Sequence, residues 1–214
     1  MPISDCEVRD PRIRRTRQLL QQALTQLLQN KSFEDITVQD IAEAATVNRA
    51  TFYDHYTDKF GLLDALIAGG FHSLLQERSV AYDGSCPSQA AAIILAACDY
   101  LAGSSARRAC GERHSTMQPL ADAAMVAAIR RVIEHGMAKN TSLSSQQRAI
   151  RAAAASGAIY GAVKQWLNTP DRWSAEQAVP QIVELVRPLL EDHSRPFDSH
   201  EHAEGQVPER QTAL

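Results

Sequence analysis

Apolar residues recur at helical spacing along most of the chain, and this periodicity constrains the fold more than any other feature. Between Arg12 and Gln29 the intervals of seven, four, three and one residues place the apolar side chains on one face of a helix. These side chains are Ile13, Leu20, Leu24, Leu27 and Leu28. No segment alternates apolar and polar residues between turn residues, as a half-buried strand would. The chain is therefore predicted to be all-α.

Capping residues predict where the next helices begin. Thr37 followed by Asp40 is a capping signal for a short second helix, Asn48 can cap a third helix running through Tyr56, and Asp58 can cap a fourth. A loop follows at 81–88, after which further helices are predicted: Gln89–Leu101, Ala106–Cys110, Pro119–Lys139, Ser144–Leu167 and Ala175–Leu190. In the last of these, Pro180 predicts a kink or a later start.

Charge is distributed unevenly along the chain. The formal net charge is −3, but residues 191–214 carry six acids against two arginines, a net of −4, which leaves the remainder near +1. The segment Arg9–Arg17 has five arginines against one aspartate, a net of +4, at the start of a helix where the helix dipole disfavours cations. Such a segment suits a phosphate backbone, which responds to local charge and not to the total.

Several classes of protein lack support in the sequence. No apolar run approaches the roughly 20 residues of a membrane span and the N-terminus lacks the apolar core of a signal peptide, so a cytoplasmic protein without a membrane partner is expected. We find no GxSxG or HExxH motif, glycine-rich phosphate loop or paired carboxylates, so neither an enzyme nor a cofactor is expected.

The cysteines and histidines form no metal-binding pattern. The four cysteines, at positions 6, 86, 98 and 110, contain no CxxC pair, so reduced thiols are expected instead of disulfides or a structural metal. A thiol switch at Cys86, Cys98 or Cys110 is the alternative to a packing role. Three tail histidines could bind metal in principle, but a polar acidic tail is expected to offer them no fixed geometry: His193, His200 and His202.

Two short helices separated by a tight turn predict a helix-turn-helix. Small residues, Ala42 and Ala45, stand where the two helices would cross, and Val47 is expected to be the buried residue of the turn. Many unrelated helical hairpins share this pattern, so the flanking residues decide its meaning.

The stretch 36–63, ITVQDIAEAATVNRATFYDHYTDKFGLL, resembles the N-terminal DNA-binding domain of TetR/AcrR-type transcriptional regulators. The likeness lies in the threonine-opened helix, the small-residue crossing, the TFY triplet, the aromatic after histidine and the acid-lysine pair before Leu-Leu. It covers about the first quarter of the chain. The resemblance implies a three-helix DNA-binding domain over residues 1–57 and a larger helical ligand-binding and dimerisation domain over 58–191. The composition of residues 192–214, which is polar, acidic and Pro/Gly-containing, predicts a disordered tail.

The resemblance also implies roles for individual residues. The helix Asn48–Tyr56 would enter the major groove, where four side chains would face base edges: Thr46, Asn48, Arg49 and Ala50. Six others match positions that lie against phosphate or support residues that do: Thr37, Thr51, Tyr53, His55, Tyr56 and Lys59. Phe52 matches a core position, and packing is the alternative for His55 and Tyr56.

Three residues depart from the family pattern. Thr46 stands where the family usually has glycine in the turn, so a left-handed conformation there would be strained by about 1 kcal/mol. Phe60 and Gly61 replace the acidic and helix-favouring residues usual in the first turn of the fourth helix, which predicts a weaker helix start.

The C-terminal region is expected to pair two chains. Ala153, Gly157 and Gly161 lie four residues apart on one helix face, so another helix can approach closely. A homodimer through the last two helices is one interpretation, and internal packing is the other. The following helix offers a matching apolar face: Val179, Ile182, Val183, Val186 and Leu190.

The expected function is a homodimeric regulator, most often a repressor, that binds a double-stranded DNA operator and releases it when a small molecule occupies the C-terminal domain. Four residues are candidates to line the ligand pocket, with an ordinary core role as the alternative: Tyr100, Met117, Met125 and Tyr160. Control by a protein partner or by cysteine oxidation is a second possibility. A helical small-molecule carrier or enzyme is a rival of a different class.

Overall fold

The computed structural model describes residues 10–83, 87–108, 117–140 and 143–190, and these residues form helices and turns without a strand. The helices are α1 (Pro11–Leu27), α2 (Val38–Ala44), α3 (Arg49–His55), α4 (Lys59–Glu77), α5 (Pro87–Arg108), α6 (Met117–Asn140), α7 (Ser145–Asn168) and α8 (Ala175–Leu190). The all-α prediction is confirmed. The N-terminal arginine Arg9, the tail, Cys6, Cys86 and Cys110 lie outside the described residues.

The predicted caps are present. Thr37 and Asp40 form a reciprocal capping box at the start of α2, and the carboxylate of Asp58 accepts a 2.8 Å hydrogen bond from the amide of Gly61. The weak start expected for α4 is therefore compensated by its cap, which is worth about 1 kcal/mol in a typical helix. Asn48 caps α3 in the same way, by accepting from the amide of Ala50.

Helices α1 to α3 pack around a small core that α4 completes. Large side chains from all of them are fully buried there: Leu20, Leu24, Phe33, Ile41, Phe52 and Leu62. Helix α4 then continues into a second bundle, where it contacts α5 and α6, and where α7 packs against α5, α6 and α8. The predicted boundary at residue 57 falls between α3 and α4, while the apolar core runs across it without a break.

Two expectations about individual helices need correction. The separate pieces predicted over Gln89–Leu101 and Ala106–Cys110 are one continuous helix as far as Arg108, because the small polar residues between them do not stop a helix that packs against its neighbours. Val47 is half-buried, not buried. Pro180 does lie inside α8, which starts at Ala175 as predicted.

The connection after α4 is fixed to α6 by an unusually close contact. Tyr82 is 8% exposed, and its ring and backbone lie directly over Gly136. A β-carbon at position 136 would overlap Tyr82 Cδ1 and come within 2.6 Å of its carbonyl oxygen. Burial, with a smaller effect from the charge of Asp83, raises the pKa of Tyr82 to about 12, so its hydroxyl stays protonated.

We predict that Gly136→Ala destabilises the protein by about 1–3 kcal/mol, because Tyr82 must move its backbone as well as its ring to admit the methyl group. Urea unfolding measures the loss. Gly103→Ala is the matched control: this glycine also lies within a helix, but nothing comes within 4 Å of an added β-carbon, so that variant should be as stable as the wild type or slightly more. Equal stability of Gly136→Ala and the wild type would contradict the contact.

Candidate nucleic-acid interface

The turn between α2 and α3 sets the geometry of the candidate site. The amide of Val47 donates to the carbonyl of Ala42 (2.9 Å) and the amide of Thr46 donates to that of Glu43 (3.0 Å), the two hydrogen bonds of a Schellman motif. Thr46 has a φ of 57°, so the turn does require a left-handed conformation at the position where the family usually has glycine. A β-branched residue adopts it only under strain. The core that holds α2 and α3 must overcome this strain.

Helix α3 presents an apolar side to the core and a polar side to solvent. Phe52 is 0% exposed, which confirms its predicted core role, and its ring packs edge-on against Tyr53 at 5.5 Å. Asn48, Arg49, Ala50 and Tyr53 are all exposed at the N-terminal half of the helix. The residues expected to face base edges are therefore accessible, together with Thr46 in the turn before them.

Arg49 and Tyr53 form a pair on this exposed side. The guanidinium donates a 3.2 Å hydrogen bond from Nη2 to the hydroxyl of Tyr53, and it lies 5.6 Å from the centre of the Tyr53 ring. One turn of helix separates the two residues, which is the spacing at which side chains meet. The pairing limits the orientations of the guanidinium while leaving most of its five donors available. Sequence reasoning named both residues but not this contact.

The side-chain amide of Asn48 has an oxygen and a nitrogen that can form different hydrogen bonds. Its Oδ1 accepts the 3.0 Å capping bond from Ala50. The cap uses only that oxygen, so capping does not consume the amide nitrogen, which is the donor needed for reading a base edge. The two alternatives for Asn48, cap or base contact, are thus compatible.

Three residues expected near phosphate have other contacts. The Tyr56 side chain is 7% exposed, its ring packs under the Arg17 guanidinium at 5.7 Å, and its hydroxyl accepts a 3.4 Å hydrogen bond from Gln21. The Thr37 hydroxyl donates to Asp40 at 2.7 Å within the capping box. Lys59 directs its ammonium at three backbone carbonyls of its own chain. Thr51 and His55 are half-buried on α3.

The carboxyl of Asp40 holds the start of α2 together. It accepts from the amide and hydroxyl of Thr37, and it also pairs with Lys31 at 3.0 Å. The backbone and hydroxyl hydrogen bonds from Thr37, followed by that from Lys31, lower the pKa of Asp40 to about 2. The group is fully ionised near neutral pH, which a reciprocal cap requires.

Basic residues extend the exposed surface along α1. Pro11 begins the helix and Asp10 caps it by accepting from the amide of Arg12 at 2.8 Å. Arg12, Arg14 and Arg15 are exposed on the first turns. These arginines of the basic segment predicted from the sequence are therefore accessible, and they lie in the same small domain as α3.

The residues expected to line a ligand pocket are mostly packed. Met125 is 1% exposed and Tyr160 is 8% exposed, while Tyr100 packs edge-on against Phe71 and Met117 is half-buried at the start of α6. Tyr160 belongs to a polar cluster between α6 and α7. Burial opposes ionisation of Asp122 there, but hydrogen bonds from Lys164, Tyr160 and Gln118 outweigh it and lower the pKa of Asp122.

A groove with a volume of about 470 Å³ lies elsewhere, between α1 and α4. Its lining is mainly amide side chains: Gln18, Gln21, Gln22, Thr25, Gln26 and Leu66. None of the four expected pocket residues contributes to it. Sequence reasoning missed this groove, since an exposed run of glutamines on one helix predicts only a solvated face.

The environment of Cys98 does not favour a reactive thiol, and the described residues contain no cluster of metal-binding side chains. Burial, with a smaller effect from Asp99, raises the pKa of Cys98 to about 11, so its thiol stays protonated and poorly reactive. Within the part of the chain that the structure describes, no group of three or more His, Cys, Asp or Glu side chains could hold a metal ion. None of the helices in that part has the length and apolarity needed to cross a membrane.

Helices α2 and α3 and the turn between them form a helix-turn-helix whose second helix is exposed on one side. Residues 20–66 match the sequence profile described as bacterial regulatory proteins, tetR family. Over these residues the chain is similar to the tetR family, and the resemblance predicted for the N-terminal domain is confirmed.

One relative is similar to about a third of the chain. An uncharacterised HTH-type transcriptional regulator of Bacillus subtilis, YxbF, is 37% identical over 73 residues, which is 34% of this chain and 19% of that protein. The match therefore spans about a fifth of that relative's length.

Similar solved structures include a TetR regulator from Streptococcus agalactiae (21% identity, TM-score 0.46, covering 85% of this chain and 98% of that one). NalD of Pseudomonas aeruginosa, described as a secondary repressor of an efflux pump, is 20% identical with a TM-score of 0.45 and coverage of 83% and 96%. At TM-scores below 0.5 these likenesses say nothing about ligand or partner.

We predict that Thr46→Gly stabilises the protein by about 1 kcal/mol, because glycine adopts the left-handed conformation without strain. Ser79→Gly is the matched control. Ser79 has a φ of 53° in a second Schellman turn at the end of α4, so the same gain is expected at a distance from α3. Urea unfolding measures both. A loss for Thr46→Gly beside a gain for Ser79→Gly would show that the threonine side chain makes a stabilising contact.

Proposed function

We propose that the protein is a homodimeric repressor that binds a DNA operator through α3 and releases it when a small molecule binds the C-terminal domain. The observation that carries the DNA-binding part is the exposed Arg49–Tyr53 pair, on a helix anchored by the fully buried Phe52. A preoriented guanidinium at the N-terminal end of a recognition helix is suited to guanine, whose O6 and N7 accept a bidentate contact.

The remaining α3 residues complete the proposed interface. Asn48 would offer its amide nitrogen to a base edge and Ala50 a methyl group to thymine. Thr46 would face a base edge as well, while Thr51, Tyr53 and His55 would lie against the backbone or support residues that do. The basic start of α1 would add phosphate contacts. Tyr56 and Thr37 would support the domain through its core and the α2 cap, not by touching DNA.

A homodimer is supported by the outer face of α7. Its side chains are exposed, small or apolar, and uncharged: Ile150, Ala153, Ala154, Gly157, Ala158 and Gly161. Nothing lies within 4 Å of a β-carbon built on Gly157 or Gly161, so this face does not serve internal packing. An uncharged exposed stripe of this kind marks an interaction surface, and a second copy would let two heads read paired half-sites.

Helix α8 would contribute a different face from the expected one. The apolar residues Val179, Ile182, Val183, Val186 and Leu190 are buried within the protomer, where α8 contacts α5 and α7. The expectation that this face pairs two chains is corrected, because it already has a partner. The opposite side carries Leu185, which is 72% exposed, and that side is the one we assign to the dimer.

Release by a ligand requires only that the ligand bind the DNA-incompetent state more tightly, by a few kcal/mol. Tyr100, Met117, Met125 and Tyr160 stay our candidates to contact such a molecule, which would have to displace the packing that now surrounds them. A panel of small molecules tested for thermal stabilisation would identify it, since a ligand raises the melting temperature of the state it binds.

We predict that Arg49→Ala weakens binding to the operator by about tenfold to a hundredfold, because a bidentate base contact contributes about 1–3 kcal/mol. Tyr53→Phe keeps the ring but removes the hydroxyl that orients Arg49, so a smaller loss is expected. Fluorescence anisotropy on the DNA upstream of the coding region, or on a duplex selected from a random pool, measures both. Arg130→Ala, which removes an exposed arginine from α6, should bind like the wild type. Wild-type binding by the Arg49→Ala, Tyr53→Phe double variant would refute the interface.

We predict that Gly161→Leu produces monomers at concentrations where the wild type is dimeric, because a bulky side chain would separate the two α7 helices. Each protomer has open space at this position, so the monomer should stay folded. Gly103→Leu also enters open space on a helix, but on α5 and not on the proposed α7 face, and it should stay dimeric. Analytical ultracentrifugation distinguishes the outcomes. A dimeric Gly161→Leu variant would exclude this face.

A further inference from the structure

Lys59 is the first residue of α4, yet its side chain belongs to the loop between α1 and α2. Its Nζ donates hydrogen bonds to the carbonyl oxygens of Phe33 (2.9 Å), Glu34 (2.9 Å) and Ile36 (2.8 Å). A lysine ammonium has three hydrogens. All of them are therefore directed at the protein's own backbone, and a phosphate oxygen would have to displace one of the three carbonyls.

The surroundings of the ammonium favour this arrangement. The ring centre of Phe33 lies 4.9 Å from Nζ and that of Phe60 lies 5.9 Å away, both within the range of cation–π attraction. The two rings pack edge-on at 5.5 Å, which gives Phe60 a function although it is 47% exposed. The Phe33 and Ile36 residues are 1% and 0% exposed, so without Lys59 their carbonyls would lose a donor in a place poorly supplied with water.

The position of these contacts in the chain connects three helices. The three carbonyls lie within four residues before Thr37, which caps α2, and Lys59 directly follows Asp58, which caps α4. One ammonium group thus joins the start of α2 to the start of α4, and α3 lies between them in sequence. Any tilt of α4 against the loop would stretch at least one of three short hydrogen bonds.

We infer that Lys59 is a positioning residue, which fixes the α2–α3 pair against α4 from inside the domain and makes no phosphate contact. This inference rests on the proposed DNA-binding function for its consequence, but its physical basis lies in the free protein. It assigns Lys59 a different role from the phosphate contact that the sequence resemblance implied.

The substitution Lys59→Arg distinguishes a phosphate contact from a positioning role. Guanidinium keeps the charge and binds phosphate at least as well as ammonium does, so Lys59→Arg would preserve a phosphate contact. Its planar fork cannot direct three hydrogens at three carbonyls around one atom. Lys59→Arg should therefore fail as a positioning residue as fully as Lys59→Met does.

The first experiment needs neither a variant nor an operator. Hydrogen-bonded ammonium groups exchange their protons slowly, so the Lys59 NH₃⁺ signal should appear in ¹⁵N-resolved NMR spectra of the wild-type protein near neutral pH. We expect it to persist and to keep its chemical shift when a DNA duplex is added. Loss of the signal to fast exchange, as for an exposed lysine, would overturn the inference, and so would a shift on DNA binding.

The second experiment compares Lys59→Arg, Lys59→Met and, as a control, Lys31→Met. Lys31 forms one ion pair with Asp40 and its side chain is 45% exposed, so its loss should change the melting temperature by less than about 2 °C. Both Lys59 variants should melt about 4–8 °C below the wild type, because buried carbonyls lose their donor. A wild-type melting temperature for Lys59→Arg would contradict the positioning role.

Salt dependence supplies a measurement that a phosphate contact would change and a positioning role would not. At temperatures where the variants are folded, we expect both to bind the selected duplex about tenfold more weakly with an unchanged slope of log K against log salt. If Lys59 contacted a phosphate, the salt dependence would become less steep by about 0.9 in Lys59→Met and would return to the wild-type value in Lys59→Arg. If the wild type binds no duplex, the proposed function fails while the NMR and melting results still decide the role of Lys59.

Discussion

The apolar core that α4 shares with the first three helices is the constraint on which the rest of the DNA-binding domain depends. Helices α2 and α3 have seven residues each, too few for either to be stable alone, so tertiary packing must hold them. Phe52 and Ile41 supply that packing from α3 and α2, and Leu62 supplies it from α4. The strained turn at Thr46 persists because this core determines the positions of both helices around it. The shape of the surface proposed to read DNA is thus set by residues that are fully buried.

The polar residues of this domain fall into two groups. Some form hydrogen bonds with backbone amides or carbonyls that would otherwise lack a partner, and others stay accessible to solvent. Thr37, Asp40 and Asp58 satisfy helix ends, and Lys59 satisfies a loop. Arg49 and Tyr53 satisfy each other only in part, so they retain groups for a partner. The difference explains why a dense run of aromatic and polar residues follows α2. A short helix such as α3 needs some of these residues to anchor it in the core, and it needs others to contact a partner.

Local signals were enough to predict much of the fold from the sequence. The caps at Thr37, Asn48 and Asp58 lie within three residues of the groups they satisfy. The sequence placed a turn at Thr46, and the structure shows that this turn is left-handed there. The contacts of Lys59 could not be predicted in this way, because its carbonyl partners lie more than twenty residues earlier in the chain. The apolar face of α8 shows a related limit. Periodicity identifies a face that must be covered, but it does not say whether the same chain or a second copy covers it.

The contact between Tyr82 and Gly136 also determines how far α6 can slide. Neighbouring helices in a bundle can shift along their axes with little change in buried apolar area, so their relative register needs a separate determinant. Moving α6 along its axis by one turn would bring Val132, Ile133 or Lys139 beneath the tyrosine, where even a β-carbon would overlap its ring. Helix α6 contacts both α4 and α7. The absence of a side chain at Gly136 therefore sets the register of α6 against the segment that follows α4. Because α6 also packs against α7, this contact influences the position of the helix that we propose meets a second copy.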